Sequence, residues 1–540
     1  MYRALLISYM LTAAFVGFGQ NAFVKKWDYS YGGSREEELR LVTQTEDGGF
    51  ILSGKSFSPI SGNKTQGNWD TSFVTGDYWI VKVDSNGNKQ WDERYGGNNS
   101  EILTSLIQTK DGGFLLGGES YSSLSGDKSS VKLGTSDGWL VKIDSLGNLL
   151  WQKRYGGNRE DYIVSIIPAH DGGFLLGAVS YSNASGEKSH NNWDPSGFQA
   201  DYWVIKIDTL GNIEWDSVYG GTGYEELSNI LSTDDNGYLL CGTSGSDSSG
   251  TKSQNSIGPT DYWAVKIDSV GRKVWDKRYG VSNSSALDYA VGNNKQGYLL
   301  TGWGGAGISS DKTFPNSSFW ILNIDSNGIR QWDRVIPEIS YEYYRNNITL
   351  TKDGGYLLAA SSNKNTGGNK TETNLGVQQT WIIKLDSLGY RQWDKTLLTL
   401  EHDRVGYALE LDQDCYLFGN CTSSDVGGYK TQPNLGEYDF WITKFCMEPV
   451  GIQVVDPHTQ VNVYPNPFAH DISITLQKEH PQQATFAISN SIGQIIYSRT
   501  ETNISNTYTK NLDLSNLPDG IYFVEINVDG EKIIKQVVKQ

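Results

Sequence analysis

One unit repeats seven times along most of this 540-residue chain, and that repetition limits the fold more than any other feature. A Trp recurs at 27, 91, 151, 215, 275, 332 and 393, and a second series recurs at 79, 139, 203, 263, 320, 381 and 441. Residues 201–244 show the pattern: strand-like runs at Asp201–Asp208, Ile213–Tyr219, Glu225–Thr233 and Tyr238–Thr243, with Gly211-Asn212 and Asp234-Asp235-Asn236-Gly237 at the turns. Gly and Asn/Asp stand where hairpin turns need positive φ. Four short strands per unit, with almost no helix signal, predict an all-β chain built of propeller blades. A lone blade exposes its edges, so the blades are expected to close into a ring. Residues 23–33 supply one strand with no partner before it, and the last unit stops at Phe445, one strand short. The first strand is therefore expected to complete the last blade. This gives a seven-bladed β-propeller over residues 20–446, closed by a 3+1 arrangement of four-stranded blades.

The two ends differ from the middle. Met1-Tyr2-Arg3 precedes an apolar run from Ala4 to Phe18, and Gly17 and Gly19 suit positions −3 and −1 of a cut before Gln20. This predicts a signal peptide over 1–19, too short for a membrane span. No Cys follows to carry a lipid anchor, and no other stretch is apolar enough to span, so no transmembrane segment is expected in the mature chain. All 17 Trp lie before residue 446. Residues 447–460 read as a linker. Alternating runs such as Ile472–Leu476, Ile521–Val528 and Ile533–Val538 then predict a small Ig-like β-sandwich over 461–540. A net charge of −17 speaks against phosphate-backbone and anionic-membrane partners, so no nucleic acid is expected.

Two resemblances add to this. Six turns share Asp-x-x-Gly-x-x-x-Trp, as at Asp84/Trp91, Asp144/Trp151 and Asp208/Trp215. The spacing resembles the tryptophan-docking repeat of quinoprotein-type propellers, which implies that Trp packs on the next blade and carries over no cofactor residue. The C-terminal blocks are Tyr464-Pro465-Asn466-Pro467-Phe468, Asn490-Ser491-Ile492-Gly493, Leu517-Pro518-Asp519-Gly520-Ile521-Tyr522 and Lys532–Lys539. They resemble the C-terminal sorting domain of type IX secretion substrates. That resemblance implies export to the periplasm and passage through an outer-membrane translocon, the partner of this domain. It places the chain outside a Gram-negative cell, either released or attached to the surface. The propeller repeats resemble those of secreted proteins of the same bacteria, a group of uncharacterised function.

Familiar catalytic motifs are missing. The repeats hold only His170, His190 and His402, and no zinc spacing occurs. Gly134-Thr135-Ser136-Asp137-Gly138 and Gly302–Gly307 match nucleophile-elbow and dinucleotide patterns by letters alone, with no helix behind them. No cofactor or metal is expected. An acid recurs ten residues after the first Trp, at Glu37, Glu101, Asp161, Glu225, Glu342 and Asp403, with Ser285 the exception. A Lys recurs in each long loop, from Lys64 to Lys430. Features copied into every blade are read as packing or loop-bonding devices. Ligand binding is sought where the repeat breaks: at Trp69, Trp193 and Trp303, outside the two Trp series, and at Tyr343, Tyr344 and Arg345, entering blade six. Long loops between strands two and three crowd one face, and aromatic rings beside Asn and Asp suit sugar stacking and hydroxyl bonding. The chain reads as a non-catalytic binding or adhesion protein for a glycan or surface-protein ligand. Its rivals are a glycan-active hydrolase or quinoprotein-like enzyme, and a structural surface-layer component.

The cysteines give one further expectation. Cys415 and Cys421 lie on one strand, about 20 Å apart along it, too far to bridge each other. Pairing Cys421 with Asp439 puts Cys415 opposite Phe445, beside Cys446. A Cys415–Cys446 disulfide is expected in the closing blade, with Cys241 and Cys421 free.

Overall fold

The structure, a computed structural model, describes residues 21–194, 196–293, 297–339, 346–412, 414–449, 459–479, 481–490, 495–502, 504–529 and 531–540. The expected signal peptide, Glu342, Tyr343, Tyr344 and Arg345 lie outside these. Phe23–Cys446 is one compact unit, and Met447–Gln540 belongs to a second.

Among the described residues, the first unit holds seven four-stranded sheets. Sheet one takes its strands in chain order: Glu37–Gln44, Phe50–Ser56, Asp77–Val83 and Lys89–Tyr95. Sheets two to six repeat this order over 101–155, 161–219, 225–279, 286–336 and 347–396. Sheet seven is Asp403–Glu410, Cys415–Thr422 and Asp439–Pro449, with Asn21–Tyr31 as its outer strand. These are β-propeller-like repeats, and a strand from the N-terminus completes the last of them.

Third strands such as Asp77–Val83 and Asp201–Ile207 are buried along their whole length. That explains their continuous apolar run, since neighbouring sheets cover both faces. Each third strand carries a fully buried Trp whose Nε1–H donates to the residue after the first Trp. Trp79 donates to Asp92 at 3.1 Å and Trp203 to Asp216 at 2.9 Å. The same carboxylate takes the backbone N–H of the long loop, as Asp92 does from Thr65 at 2.9 Å. In sheet seven Asp28, from the N-terminal strand, does both: Trp441 Nε1–H donates at 3.0 Å and Thr431 N–H at 2.8 Å.

The first Trp docks on the turn of the following sheet. A Cβ on Gly147, at φ 88°, would come within 3.2 Å of the Trp91 ring, so only a glycine lets the turn sit there. Sheet seven has no such turn, because Cys446 stands in place of the Asp. Phe23 takes over, its ring centroid 4.7 Å from that of Trp393.

Cys415 is bonded to Cys446, while Cys241 and Cys421 are free and buried. The register differs by one from the sequence expectation: Cys415 faces Cys446 directly, and Cys421 faces Phe440. The strand pairs residue for residue from Thr422↔Asp439, which the expected pairing had displaced.

Among the described residues, the second unit has two sheets. One is Gln460–Tyr464, Asp471–Gln477 and Thr507–Asp513; the other is Ile495–Thr502, Gln483–Asn490, Gly520–Val528 and Glu531–Lys539. Ile472, Ile474 and Leu476 from one, and Phe486, Ile488, Val524 and Ile526 from the other, share one buried core. The alternating burial of Asp471–Gln477 matches its alternating sequence. Of the linker expected over 447–460, Met447–Pro449 continues the last strand of sheet seven and Gln460 opens a new one.

Candidate functional site

First strands carry the chemistry that the repeat does not dictate. A pocket of about 270 Å³ is lined by first-strand residues of all seven sheets, among them Arg40, Thr104, Tyr162, Ser228, Tyr289 and Tyr407. A β-bulge interrupts the first strand at the same place in six sheets, as between Leu39 and Leu41 and between Leu227 and Asn229. The extra residue is released from the ladder. In sheets one, two, three and four it is Arg40, Thr104, Val164 or Ser228, and each lines the pocket.

Neighbouring first strands are tied to each other. Ser165 Oγ accepts from Ile230 N–H at 3.1 Å, Ser228 Oγ donates to Leu287 O at 2.7 Å, and Thr349 Oγ1 donates to Ala408 O at 3.2 Å. Arg40 pairs with Glu38 at 2.7 Å, and Arg404 pairs with Glu36 while lying 3.8 Å over the Tyr438 ring. Burial raises the phenols of Tyr289 and Tyr407 above the usual range and keeps them neutral. Burial also raises the Glu119 carboxyl on the pocket wall, with Glu160 pushing the same way and Ser136 Oγ donating to it at 2.6 Å. The pocket thus offers neutral phenols, hydroxyls, amides and a paired guanidinium, which fit a polar, hydroxyl-rich ligand.

The recurring acids and lysines do other work. Glu37, Glu101, Asp161, Glu225 and Asp403 are fully buried. Glu101 takes Gly97 N–H at 2.9 Å and Ser120 Oγ–H at 2.8 Å, closing the connection between sheets one and two. The buried lysines clamp their own loops: Lys64 donates to Asn68 Oδ1 at 3.1 Å and Lys430 to Gln432 O at 2.7 Å. Glu37, Glu101 and Glu225 each face the Asp that opens the third strand of the preceding sheet, Asp439, Asp77 and Asp201. A Cβ on Gly96 would lie 2.3 Å from Asp77 Oδ1, and one on Gly97 would lie 2.5 Å from the Ser122 side chain. The recurring Tyr-Gly-Gly therefore lets the backbone close over a pair of carboxyls.

Trp69 and Trp193 are each 45% exposed. Their N–H groups donate to the third-strand acids Asp77 at 2.9 Å and Asp201 at 2.7 Å. Leu133, Ile257 and Leu435 make the same bond in other sheets, so the position belongs to the repeat and only its size varies. Trp69 packs on Gly126 of the next loop, donates from Nε1 to Asp127 at 2.9 Å, and carries the Arg94 guanidinium 4.4 Å over its ring. Trp193 packs on Gly250, and Val218 holds the register place of Arg94 beside it. The loops of sheets one and three are four residues longer than those with Leu or Ile, and Asp70 and Asp194 cap the extra turn. Trp303 faces Ala286, the register place that Glu119 has opposite Ile102 on the pocket wall.

Tyr162, Tyr289 and Tyr407 stand on first strands rather than in loops, where sequence alone points to aromatic contacts. Aligned repeats differ most at these first-strand positions, and that variation was the available signal.

Residues 462–540 match the family of secretion system C-terminal sorting domains. None of the curated proteins compared with the chain matches it. Solved structures similar to it include a protein of unknown function from Dyadobacter fermentans, 13% identical, covering 79% of this chain and 99% of its own, with TM-score 0.39. The Pan2 WD40 domain of Neurospora crassa is 6% identical over 79% of this chain and 96% of its own, with TM-score 0.44. A puromycin hydrolase is 10% identical over 82% of this chain and 59% of its own, with TM-score 0.43. The sorting domain at residues 462–540 makes the chain a type IX secretion substrate, exported to the cell surface or the extracellular space.

Proposed function

We propose that the chain is an exported, non-catalytic binding protein whose seven sheets are the blades of one closed propeller, with the 3+1 closure made by the Asn21–Tyr31 strand. The second unit is then a β-sandwich that serves as the secretion address, behind a linker, and residues 1–19 are the signal peptide. The ligand is a glycan or a surface protein, taken at the axial pocket and the long-loop face around it. One observation carries this reading: a bulge repeated in six first strands turns non-repeated residues into a pocket to which all seven sheets contribute. The exposed halves of Trp69 and Trp193, together with Trp303, Tyr343, Tyr344 and Arg345, are proposed as outlying contacts.

A glycan array and a surface-extract pulldown with the mature protein, run beside Tyr162→Ala, test this. Ligand retained by the wild type and lost by the variant supports the axial site. Equal retention by both removes it. A hydrolase reading draws on Glu119, the buried acid of the pocket wall. Its sign would be turnover of a bound glycan that Glu119→Gln abolishes without loss of binding.

A further inference from the structure

Third strands carry a Lys at one fixed register place in six of seven sheets: Lys82, Lys142, Lys206, Lys266, Lys384 and Lys444. Five of these pair with the Asp of the turn between strands one and two, as Lys266 does with Asp235 at 2.7 Å and Lys384 with Asp353 at 2.8 Å. Sheet five has Asn323 there. A Cβ on Gly49 would lie 2.6 Å from Lys82 Nζ, whereas one on the matching Gly297 would lie 2.8 Å from Asn293 Nδ2. A neutral amide thus stands where other sheets hold an ammonium.

Beside this break a cleft of about 480 Å³ opens between sheets five and six, on the face of the tight turns and so opposite the long loops. Asn293, Asn323, Gln331, Trp332, Asp353 and Tyr356 line it, and turn residues Ser387 and Leu388 form its lip. Asp353 is neutralised by Lys384, and Asn323 bonds the Tyr356 hydroxyl. The equivalent cleft between sheets four and five has the same Trp and Tyr places, in Trp275 and Tyr298, but keeps Lys266 in its wall. The next one along keeps Lys384.

We propose that the cleft between sheets five and six is a binding subsite for a neutral saccharide. Amides both donate and accept, as sugar hydroxyls do, and among the described lining residues no ammonium stands to select an anion. The half-exposed Trp332 supplies an apolar edge for a sugar ring. This subsite is separate from the axial pocket and goes beyond the reading above.

The test uses the mature full-length protein on an array of neutral, sialylated and sulfated glycans, followed by titration of the strongest neutral glycan. Ser387→Trp fills the cleft from an exposed turn position, and Leu388→Arg does so from the next residue should the first variant fold poorly. Ser326→Trp, which fills the equivalent cleft between sheets four and five, serves as the control. Neutral glycans bound by the wild type, with affinity falling at least tenfold in a lip variant that melts like the wild type and unchanged in Ser326→Trp, are expected. Binding that is unchanged in both lip variants would overturn the subsite. Binding of acidic glycans only, or of none, would overturn it as well.

Discussion

Asp201 and Glu225 open strands in two neighbouring sheets, yet their carboxyls meet beneath Gly220, where a Cβ would come 2.0 Å from Asp201 Oδ1 and 2.9 Å from Glu225 Oε2. Both residues are fully buried, and Asp201 Oδ1 has no other hydrogen-bond partner. Burial, with Glu225 pushing the same way, raises the Asp201 carboxyl far above the usual carboxylate range, while the Trp193 N–H and Lys188 oppose them. One proton shared between the two satisfies this geometry. Elsewhere the sequence makes one partner neutral: Ser285 follows Asp261, and Gln379 precedes Asp403.

The sign of the pH dependence follows. A carboxyl raised in the folded state keeps a proton that the unfolded chain loses, so its stabilisation is complete below the unfolded value and is lost as pH rises. Glu37 and Asp439, the same pair between sheets seven and one, are raised by burial to about 7 from ordinary values of 4.5 and 3.8. Stability is expected to fall between pH 5 and 8. Asp201→Asn should flatten part of that fall and gain on the order of 1 kcal/mol at pH 8, since one pK unit is worth about 1.4 kcal/mol. Urea melts at the two pH values decide it. A wild type equally stable at both would rule out the shared proton.

Much of this was legible because the repeat aligns each blade against six others. The docking Trp, the turn Gly and the buried acids all sit where repetition placed them. The carboxyl pairing was not legible, because its partners lie about 24 residues apart, on strands of different sheets. The pocket lined by the first strands was hidden for a related reason. A bulge changes which way a residue points, and period-two reading assumes an unbroken strand. Trp69 and Trp193 looked like departures from the repeat because four extra loop residues moved them out of alignment with Leu133 and Ile257.

Those two tryptophans should separate packing from binding. Trp69 has Arg94, Gly126 and Asp127 around it, whereas Trp193 lacks the guanidinium. Trp69→Ala is expected to cost about 3 kcal/mol of stability, the low end of the range for a buried large ring, because half of this ring is exposed. Trp193→Ala should cost less and weaken ligand capture more. Equal losses of stability with intact capture would make both residues packing elements alone.

The disulfide joins residues 31 apart, and the loop-entropy relation gives about 3–4 kcal/mol for such a closure. Cys446→Ser should lower the denaturation midpoint accordingly under non-reducing conditions. Thiol titration of the unfolded, unreduced protein should count two thiols, from Cys241 and Cys421. Four would show that the bond does not form in the exported protein.

Removal of residues 461–540 should leave the protein in the periplasm, because the sorting domain is its address. Cell fractionation checks this. The truncated chain reaching the medium at the wild-type level would mean that the address lies elsewhere.

In the closed propeller proposed above, ring closure rests on Asp28. Its carboxylate holds Thr431 and Trp441 of sheet seven, and Lys25 lies 2.7 Å away. Asp92 holds Thr65 and Trp79 in the same way, but inside a sheet whose four strands follow one another along the chain. Hydrogen bonds to a buried charge are worth about 1.5–3 kcal/mol each. Asp28→Ala and Asp92→Ala should therefore both lower the melting temperature by several degrees. They should differ in how they come apart. The Asn21–Tyr31 strand is joined to sheet seven by non-covalent contacts and by no direct chain connection to a neighbouring strand, so Asp28→Ala should loosen it while the other sheets stay folded. Hydrogen exchange would then show residues 23–31 opening faster in Asp28→Ala than in Asp92→Ala. Equal protection of that strand in both variants would mean that the ring is not held shut through Asp28.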